Sequence, residues 1–335
     1  MFYSDIAVLS EEKTLKKNKL TTKTNPSVSN SILVHRKRKA VLERVAQSIF
    51  AACAFFAVLA VASITLYMFM KGTPAILKVG LKEILFSCSW QPTADEPGYG
   101  ILYVMLTSLI GTGMAVFISV PVGILTAVFL AEIASAKVAV TVRPAAELLA
   151  GIPSVIYGLL GIYLLNPLMY KLELKLFRDS DTHQFTGGSN LLSAVLVLAV
   201  MILPTVINIS ETAIRAVHPG IREASLALGA SRVQTIFKSV LPAARSGIVT
   251  AVVLGVGRAV GEAMAITLVS GGSVNAPFPF NSVRFLTTAI VSEMGYSSGT
   301  HREMLFTIGL VLFMFIMLIN IVITNIFKRG GMGHD

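Results

Sequence analysis

Residues 220–247 read G-I-R-E-A-S-L-A-L-G-A-S-R-V-Q-T-I-F-K-S-V-L-P-A-A-R-S-G and separate two long hydrophobic runs. This stretch predicts two short helices on either side of Gly229, which can adopt the positive φ that a helix end often needs. Ser231 and Gln234 have the spacing of a capping box, so the second helix is expected to begin there. Pro242 is expected to stop or kink that helix, because its ring nitrogen carries no hydrogen.

The second of these helices has an apolar face. Its apolar residues recur at helical spacing at Val233, Ile236, Phe237, Val240 and Leu241. On a membrane surface, lipid does not fully cover such a hairpin. Either a cytoplasmic partner covers the apolar face, or the helices lie on the lipid headgroups. The residues alone leave both interpretations open.

The composition indicates a membrane protein in contact with lipid. Hydrophobic residues make up 54% of the chain and charged residues only 14%, against about 25% charged residues in an average soluble protein. The formal net charge of +10 is concentrated in the first 44 residues and in loops beside apolar runs. That placement is typical of membrane orientation signals, and we expect no nucleic-acid partner.

Six apolar runs are long enough to cross the membrane, since a hydrocarbon core of ~30 Å takes about 20 helical residues. The predicted spans are residues 46–70, 102–130, 145–165, 191–209, 248–269 and 304–327. The third run is interrupted by Gly, Ile and Pro at 151–153. The connecting segments 71–101, 166–190 and 270–303 are rich in turn-forming residues and are predicted loops.

Basic residues set the predicted orientation. With the N-terminus inside, 19 of the 28 Lys and Arg residues fall in inner segments and 8 in outer loops. This asymmetry predicts an all-α membrane protein with six transmembrane helices, N-in and C-in, and with the 220–247 stretch in the cytoplasm.

The predicted domain organisation follows from these spans. Residues 1–44 form a cytoplasmic polar tail, of which 1–34 are expected to be disordered. Residues 45–101 hold the first transmembrane helix and a periplasmic segment. Residues 102–328 form the main transmembrane domain, and residues 329–335 form a second cytoplasmic tail.

Two charged residues lie deep in the fifth predicted span. An Arg at mid-bilayer costs at least ~2.5–3.5 kcal/mol, so Arg258 should face the bundle interior or a water-filled path. Glu262 is one helical turn away, and the two residues can form a structural ion pair. Alternatively, the planar guanidinium of Arg258 binds an oxyanion in transit, with Glu262 tuning or gating that step.

Small residues surround this pair. Gly257 and Gly261 form a G-x-x-x-G pattern, which lets a neighbouring helix approach closely. We interpret it as helix packing, including at an interface with a second membrane subunit.

Enzyme signatures are absent from the sequence. There is no Gly-Lys dipeptide and hence no P-loop, and no spacing typical of metal ligands. We predict no catalytic residue, metal or cofactor. If transport uses ATP, another chain must bind it.

The 220–247 stretch resembles the EAA loop of ABC importer membrane subunits, and it is called the EAA loop below. Ser225 and Ser239 stand where the family pattern has Ala and Ile. The positions that match the pattern are Glu223, Ala224, Gly229, Leu241 and Pro242.

Two further segments sharpen this likeness. Residues 147–158, E-L-L-A-G-I-P-S-V-I-Y-G, and residues 257–265, G-R-A-V-G-E-A-M-A, resemble segments of phosphate importer permeases, the second in its PstC-type form. The likeness runs from about residue 46 to 327. It implies a type I ABC importer permease fold with a cytoplasmic coupling helix, and translocation of inorganic phosphate across the bacterial inner membrane.

The resemblance also implies roles and partners. Arg258 and Glu262 would line the substrate path, and the EAA loop would dock on an ATPase. The implied partners are a related permease of PstA type, two ATP-binding subunits and a periplasmic phosphate-binding protein.

Three alternatives stay open on the residues. They are a permease for another oxyanion such as sulfate or molybdate, a secondary transporter without an ATPase, and a scaffold or signalling partner. A secondary transporter would show an inverted repeat, which we do not find.

Overall fold

The computed structural model describes residues 26–180 and 183–329. They are largely helical, as the composition predicts. Five helices in these ranges are long and apolar enough to cross a membrane, and a sixth span results if two helices bent by 70° count as one. The predicted all-α membrane architecture is confirmed.

The first helix, α1 (Pro26–Val79), is far longer than the predicted span 46–70. Residues 26–34, expected to be disordered, belong to it, so that expectation is wrong there. Once a helix has started, each added residue gains a backbone hydrogen bond, which extends it into its polar flanks. The rest of the predicted tail, residues 1–25, and residues 330–335 lie outside the described residues.

The chain divides into two units between Leu66 and Tyr67, and the contacts below lie within the second. The predicted loop 71–101 contains regular structure. Gly80, with φ of 94°, separates α1 from a short helix. That helix is α2 (Leu81–Phe86), and an antiparallel hairpin of β1 (Trp90–Gln91) and β2 (Gly98–Tyr99) follows.

A buried carboxylate joins this hairpin to the C-terminal part of the chain. Glu293 accepts hydrogen bonds from Trp90 Nε1 at 3.1 Å and contacts His301 Nε2 at 2.7 Å. The guanidinium of Arg284 also pairs with it. Charge-assisted bonds of this kind are about twice as strong as neutral ones, so the cluster fixes three distant segments together.

One helix forms the centre of the bundle. This is α7 (Leu191–Arg215), in which 61% of the residues of its apolar 18-residue stretch are buried. It packs on α3 (Leu102–Val128), which continues as a π-helical turn (Phe129–Ile133), and on α11 (Arg245–Gly261).

Glycines allow these helices to approach closely. A Cβ at Gly123 would lie 2.7 Å from Val206, and one at Gly255 would lie 2.9 Å from Ile202. In lipid, helices associate through van der Waals packing of this kind, because apolar burial gives little driving force there.

The third span is displaced from its predicted place at 145–165. The chain breaks at Ile152 and Pro153, as the sequence predicts, because Pro153 cannot donate a helical hydrogen bond. The long apolar helix therefore lies after the break, over Ser154–Leu176. The helices here are α4 (Ala136–Gly151), α5 (Ser154–Leu160), a π-helical turn (Gly161–Leu165) and α6 (Asn166–Leu176).

The EAA loop has the predicted two-helix form. Gly229 has φ of 85°. The capping box of Ser231 and Gln234 is formed, with both bonds present at 3.3 and 2.9 Å. The chain then bends by 70° after Pro242. The first helix is α8 (Pro219–Ala227). The second is continuous over Arg232–Ala243 and consists of α9 (Arg232–Thr235), a π-helical turn (Ile236–Val240) and α10 (Leu241–Ala243).

The fifth predicted span, 248–269, is not one continuous helix. It breaks after Gly261, where α11 ends, and resumes as α12 (Met264–Val269). The chain continues through α13 (Leu286–Glu293) to α14 (Gly299–Arg329), the last span.

Candidate substrate path and EAA loop

Arg258 lies near the end of α11 and is half-buried. Its Nη1 is 3.4 Å from the hydroxyl oxygen of Thr205 on α7, to which it donates a weak hydrogen bond. Within the described residues, no carboxylate pairs with Arg258. An intramembrane guanidinium normally pairs with an acid or with backbone carbonyls, so most of its donors are available for another acceptor.

Glu262 lies at the break between α11 and α12, where its own backbone is extended. Its Oε1 accepts a hydrogen bond from the backbone N–H of Ala265 at 3.1 Å, and its carbonyl accepts one from Thr287 at 2.7 Å. The side chain thus satisfies an N–H group in the first turn of α12, which has no partner within the helix.

The structure does not form the ion pair that the spacing of Arg258 and Glu262 allows. The i,i+4 geometry requires a continuous helix, and the helix ends at Gly261. Arg258 faces Thr205 instead, and Glu262 caps α12. The purely structural interpretation of the two charges therefore loses the contact on which it depended.

The small residues of α11 divide between two faces. Ala251, Gly255 and Ala259 are buried, as helix packing predicts. Gly257 and Gly261 are exposed, and a Cβ at either would meet no atom of the described structure within 4 Å. The G-x-x-x-G stripe therefore forms an open face beside Arg258.

The EAA positions lie on the surface of the loop. Glu223 and Ala224 are exposed on α8, and Pro242 is exposed on α10, whereas Leu241 is half-buried. Leu228, beside Gly229 at the turn, is 89% exposed. This surface is open to another chain.

The two departures from the family pattern contact each other. The Ser239 hydroxyl donates to the Ser225 hydroxyl at 3.4 Å, and Ser225 lies 3.0 Å from the hydroxyl of buried Thr235. These hydroxyls thus link the two halves of the loop at the positions where the family pattern has Ala and Ile.

Sequence reasoning missed two hydroxyl groups in the candidate path. Thr205 follows Pro204, a proline in a span, which was the only signal available for it. Thr287 lies in a segment predicted to be a loop, and its contact with Glu262 spans 25 residues, which no local pattern reports.

Comparison with known proteins gives a family match over most of the chain. The model of the family described as "Binding-protein-dependent transport system inner membrane component" matches residues 119–329. The chain also resembles a chain of the MetNI methionine ABC transporter in an inward-facing form, with 24% identity, a TM-score of 0.48, and coverage of 69% of this chain and 94% of that one.

Individual relatives match over most of their length. The probable ABC transporter permease protein YqgH of Bacillus subtilis is 38% identical over 90% of this chain and 97% of the relative. The phosphate transport system permease protein PstC of Haemophilus influenzae is 32% identical over 74% of this chain and 83% of the relative. The chain therefore belongs to the family of binding-protein-dependent transport system inner membrane components, the permease subunits of the bacterial inner membrane.

Proposed function

We propose that this chain is the PstC-type permease subunit of an ATP-driven importer that carries inorganic phosphate across the inner membrane. Five relatives named as phosphate transport system permease protein PstC support the substrate. They are 29–32% identical over 74–88% of this chain.

The observation that carries the proposal is the half-buried Arg258, which has no carboxylate partner among the described residues. A guanidinium can donate two parallel hydrogen bonds to a phosphate, and such bonds strengthen where water is excluded. Thr205 adds a hydroxyl beside it. Arg258 would hold the anion during passage, and the exposed face of Gly257 and Gly261 leaves room beside it.

We assign Glu262 to the same path. Its carboxylate holds the start of α12, which keeps the span broken next to Arg258. In membranes, irregular backbone is tolerated where it is buried in protein or lines a water-filled cavity. A negative charge here would also oppose prolonged binding of phosphate, so that the anion leaves the Arg258 site.

The energy for transport would come from partner chains. The exposed Glu223 and Ala224 of α8 would dock on an ATP-binding subunit, which hydrolyses ATP. The full assembly would hold this chain, a PstA-type permease, two ATP-binding subunits and a periplasmic phosphate-binding protein. The basic-residue asymmetry supports an N-in and C-in orientation. In that orientation the tails 1–44 and 329–335 and the EAA loop lie in the cytoplasm, and the segment after the first span lies in the periplasm. Residues 102–328 form the transmembrane domain.

Uptake of radiolabelled phosphate tests this proposal in cells that lack their own importer. The chain is expressed with its partners or omitted, and sulfate or molybdate is added as competitor. We expect uptake that requires this chain and ignores both competitors. Uptake that is independent of the chain would reject the proposal, and competition by sulfate or molybdate would assign the permease to another anion.

A further inference from the structure

Arg222 precedes the EAA residue Glu223 but points in another direction, into the protein. Its side chain is 23% exposed and that of its partner Glu132 is 13% exposed. Nη2 and Nε donate to Glu132 Oε1 at 2.6 and 3.0 Å. Two nitrogens of the guanidinium therefore donate to the same carboxylate. The pair is largely shielded from water, unlike a surface ion pair.

The same guanidinium also caps the end of the central helix. Arg222 Nη2 donates to the carbonyl of Ile214 at 2.8 Å, and Nη1 donates to that of Val217 at 2.6 Å. The last carbonyls of a helix have no partner within it, and a cation is favourable there. Arg222 thus joins three elements, namely α8, the C-terminal end of α7, and the π-helical turn after α3 that holds Glu132.

A second ionic group strengthens the same junction. Glu211 of α7 accepts hydrogen bonds from Arg143 at 2.5 Å and from Arg215 at 2.9 Å. Arg215 Nη2 also donates to the carbonyl of Leu130, in the same π-helical turn, at 2.6 Å. The C-terminal ends of α3 and α7 and the middle of α4 are therefore linked to one another where α8 attaches.

The helix that Arg222 caps also reaches the candidate path. Thr205, which contacts Arg258, is on α7, nine residues before Ile214. At about 1.5 Å per residue, roughly 14 Å of continuous helix separate the two contacts. A displacement of α8 therefore has a direct route to Arg258 through Arg222 and α7.

We propose that Arg222 and Glu132 are positioning residues that couple movement of the EAA loop to α3 and α7, and so to Arg258. This inference rests on the proposed function, because it concerns how ATP hydrolysis on a partner drives transport. Lys cannot replace Arg222, since a single ammonium group cannot reach a carboxylate and two separate carbonyls in a fixed fork geometry.

A simple structural role predicts a different outcome from a coupling role. If the pair only stabilises the fold, its loss lowers the amount of active complex, and ATP hydrolysis and phosphate uptake fall in proportion. If the pair couples the loop to the spans, ATP hydrolysis persists while fewer phosphate ions are transported per ATP. The ratio of the two rates therefore distinguishes the roles.

The first measurement is that ratio, in proteoliposomes that hold the full importer. The variants are Glu132→Gln and Arg222→Lys, and the matched control is Arg302→Lys, an exposed residue of α14 outside the EAA loop. We expect the number of phosphate ions transported per ATP to fall on the order of tenfold in both variants. This is the change in a two-state equilibrium that results when one charge-assisted hydrogen bond is lost. The control should match wild type. An unchanged ratio in the two variants would overturn the proposal.

A second measurement does not depend on the substrate. Two exposed residues, Ile133 and Ala227, are replaced by Cys and spin-labelled in a chain in which Cys53 and Cys88 are replaced by Ser. The distance between the two labels is then measured in the full complex with and without ATP. The two labels should keep one narrow distance in wild type and a broadened one in Glu132→Gln. Equal distance distributions in wild type and Glu132→Gln would show that the Arg222–Glu132 pair does not hold α8 to the π-helical turn, and would reject the proposal. If this result holds while wild type transports no phosphate, the proposed function fails and the mechanical link stands.

Discussion

At the residue scale, the two membrane charges differ in what surrounds them. Arg258 has a single weak bond to Thr205, whereas Glu262 makes a helix-capping bond to the N–H of Ala265. A cation left with spare donors is suited to bind an anion, and a carboxylate engaged in a cap is suited to fix the backbone. The two residues therefore support different predictions.

Arg258→Gln should abolish most phosphate uptake while leaving the complex assembled. Gln has one amide donor group and no charge, so the charge-assisted bonds to phosphate, worth about 1.5–3 kcal/mol each, are lost. We expect uptake to fall at least about tenfold, because 1.4 kcal/mol corresponds to tenfold. Arg302→Gln, at an exposed position, is the control and should transport normally. Normal uptake by a well-expressed Arg258→Gln protein would contradict the assignment.

Glu262→Gln and Glu262→Ala separate charge from capping. Gln retains a carbonyl that can accept from Ala265, so thermal stability should stay near wild type while uptake falls. Ala removes the cap as well, and capping bonds typically contribute about 1 kcal/mol, so its melting temperature should drop too. Full uptake by the Gln variant would show that Glu262 only caps the helix.

At the scale of elements, the side-chain hydrogen bonds inside the EAA loop come from residues other than Glu223. The capping box and the hydroxyl contacts of Ser225 lie inside the loop, while Glu223 faces outward. A change at Glu223 should therefore affect docking and leave the fold of the loop intact.

Glu223→Lys should detach or uncouple the ATP-binding subunit. A reversed charge at an interface is repelled by the groups that paired with the original one. Co-purification of the ATP-binding subunit and phosphate uptake should both decrease. Glu96→Lys, an exposed position in the hairpin turn, serves as the matched control. Undiminished co-purification and uptake in Glu223→Lys would argue against the loop as the docking site.

The elements show which features a local pattern can predict. Ser231, Gln234 and Gly229 were predicted correctly because a capping box and a helix end depend on neighbouring residues. The break at Glu262 was missed because it is stabilised by Thr287, far along the chain. Apolar runs report that a segment is in the membrane, but they do not report where its helix is interrupted.

At the scale of the whole molecule, orientation is the prediction on which the partner assignments depend. Cys88 is exposed in a segment predicted to be periplasmic, and Leu228 is exposed at the tip of the EAA loop. In a Cys53→Ser background, a membrane-impermeant maleimide added from the periplasmic side should label Cys88. In a chain that also lacks Cys88, Leu228→Cys should be labelled only after lysis. The reverse pattern would refute the N-in, C-in orientation.

Much of the molecule follows from composition and spacing, including its helical membrane class and the surface position of the EAA loop. The length of α1 and the shift of the third span to 154–176 do not follow, because hydropathy locates apolar residues and not helix ends. Arg258 was singled out because a charge in a span is costly. The contact of Thr205 with Arg258 depends on the packing of α7 on α11, which no local pattern reports.

The central claim is that this chain moves phosphate when a partner hydrolyses ATP, with Arg258 in the path. The most direct test is ATP-dependent uptake of radiolabelled phosphate into proteoliposomes that hold the purified importer with this chain or with its Arg258→Gln variant. We predict uptake with wild type that stops without ATP, and loss of uptake with ATP hydrolysis retained in the variant. Equal phosphate uptake by both complexes, or none by the intact wild type, would contradict the account.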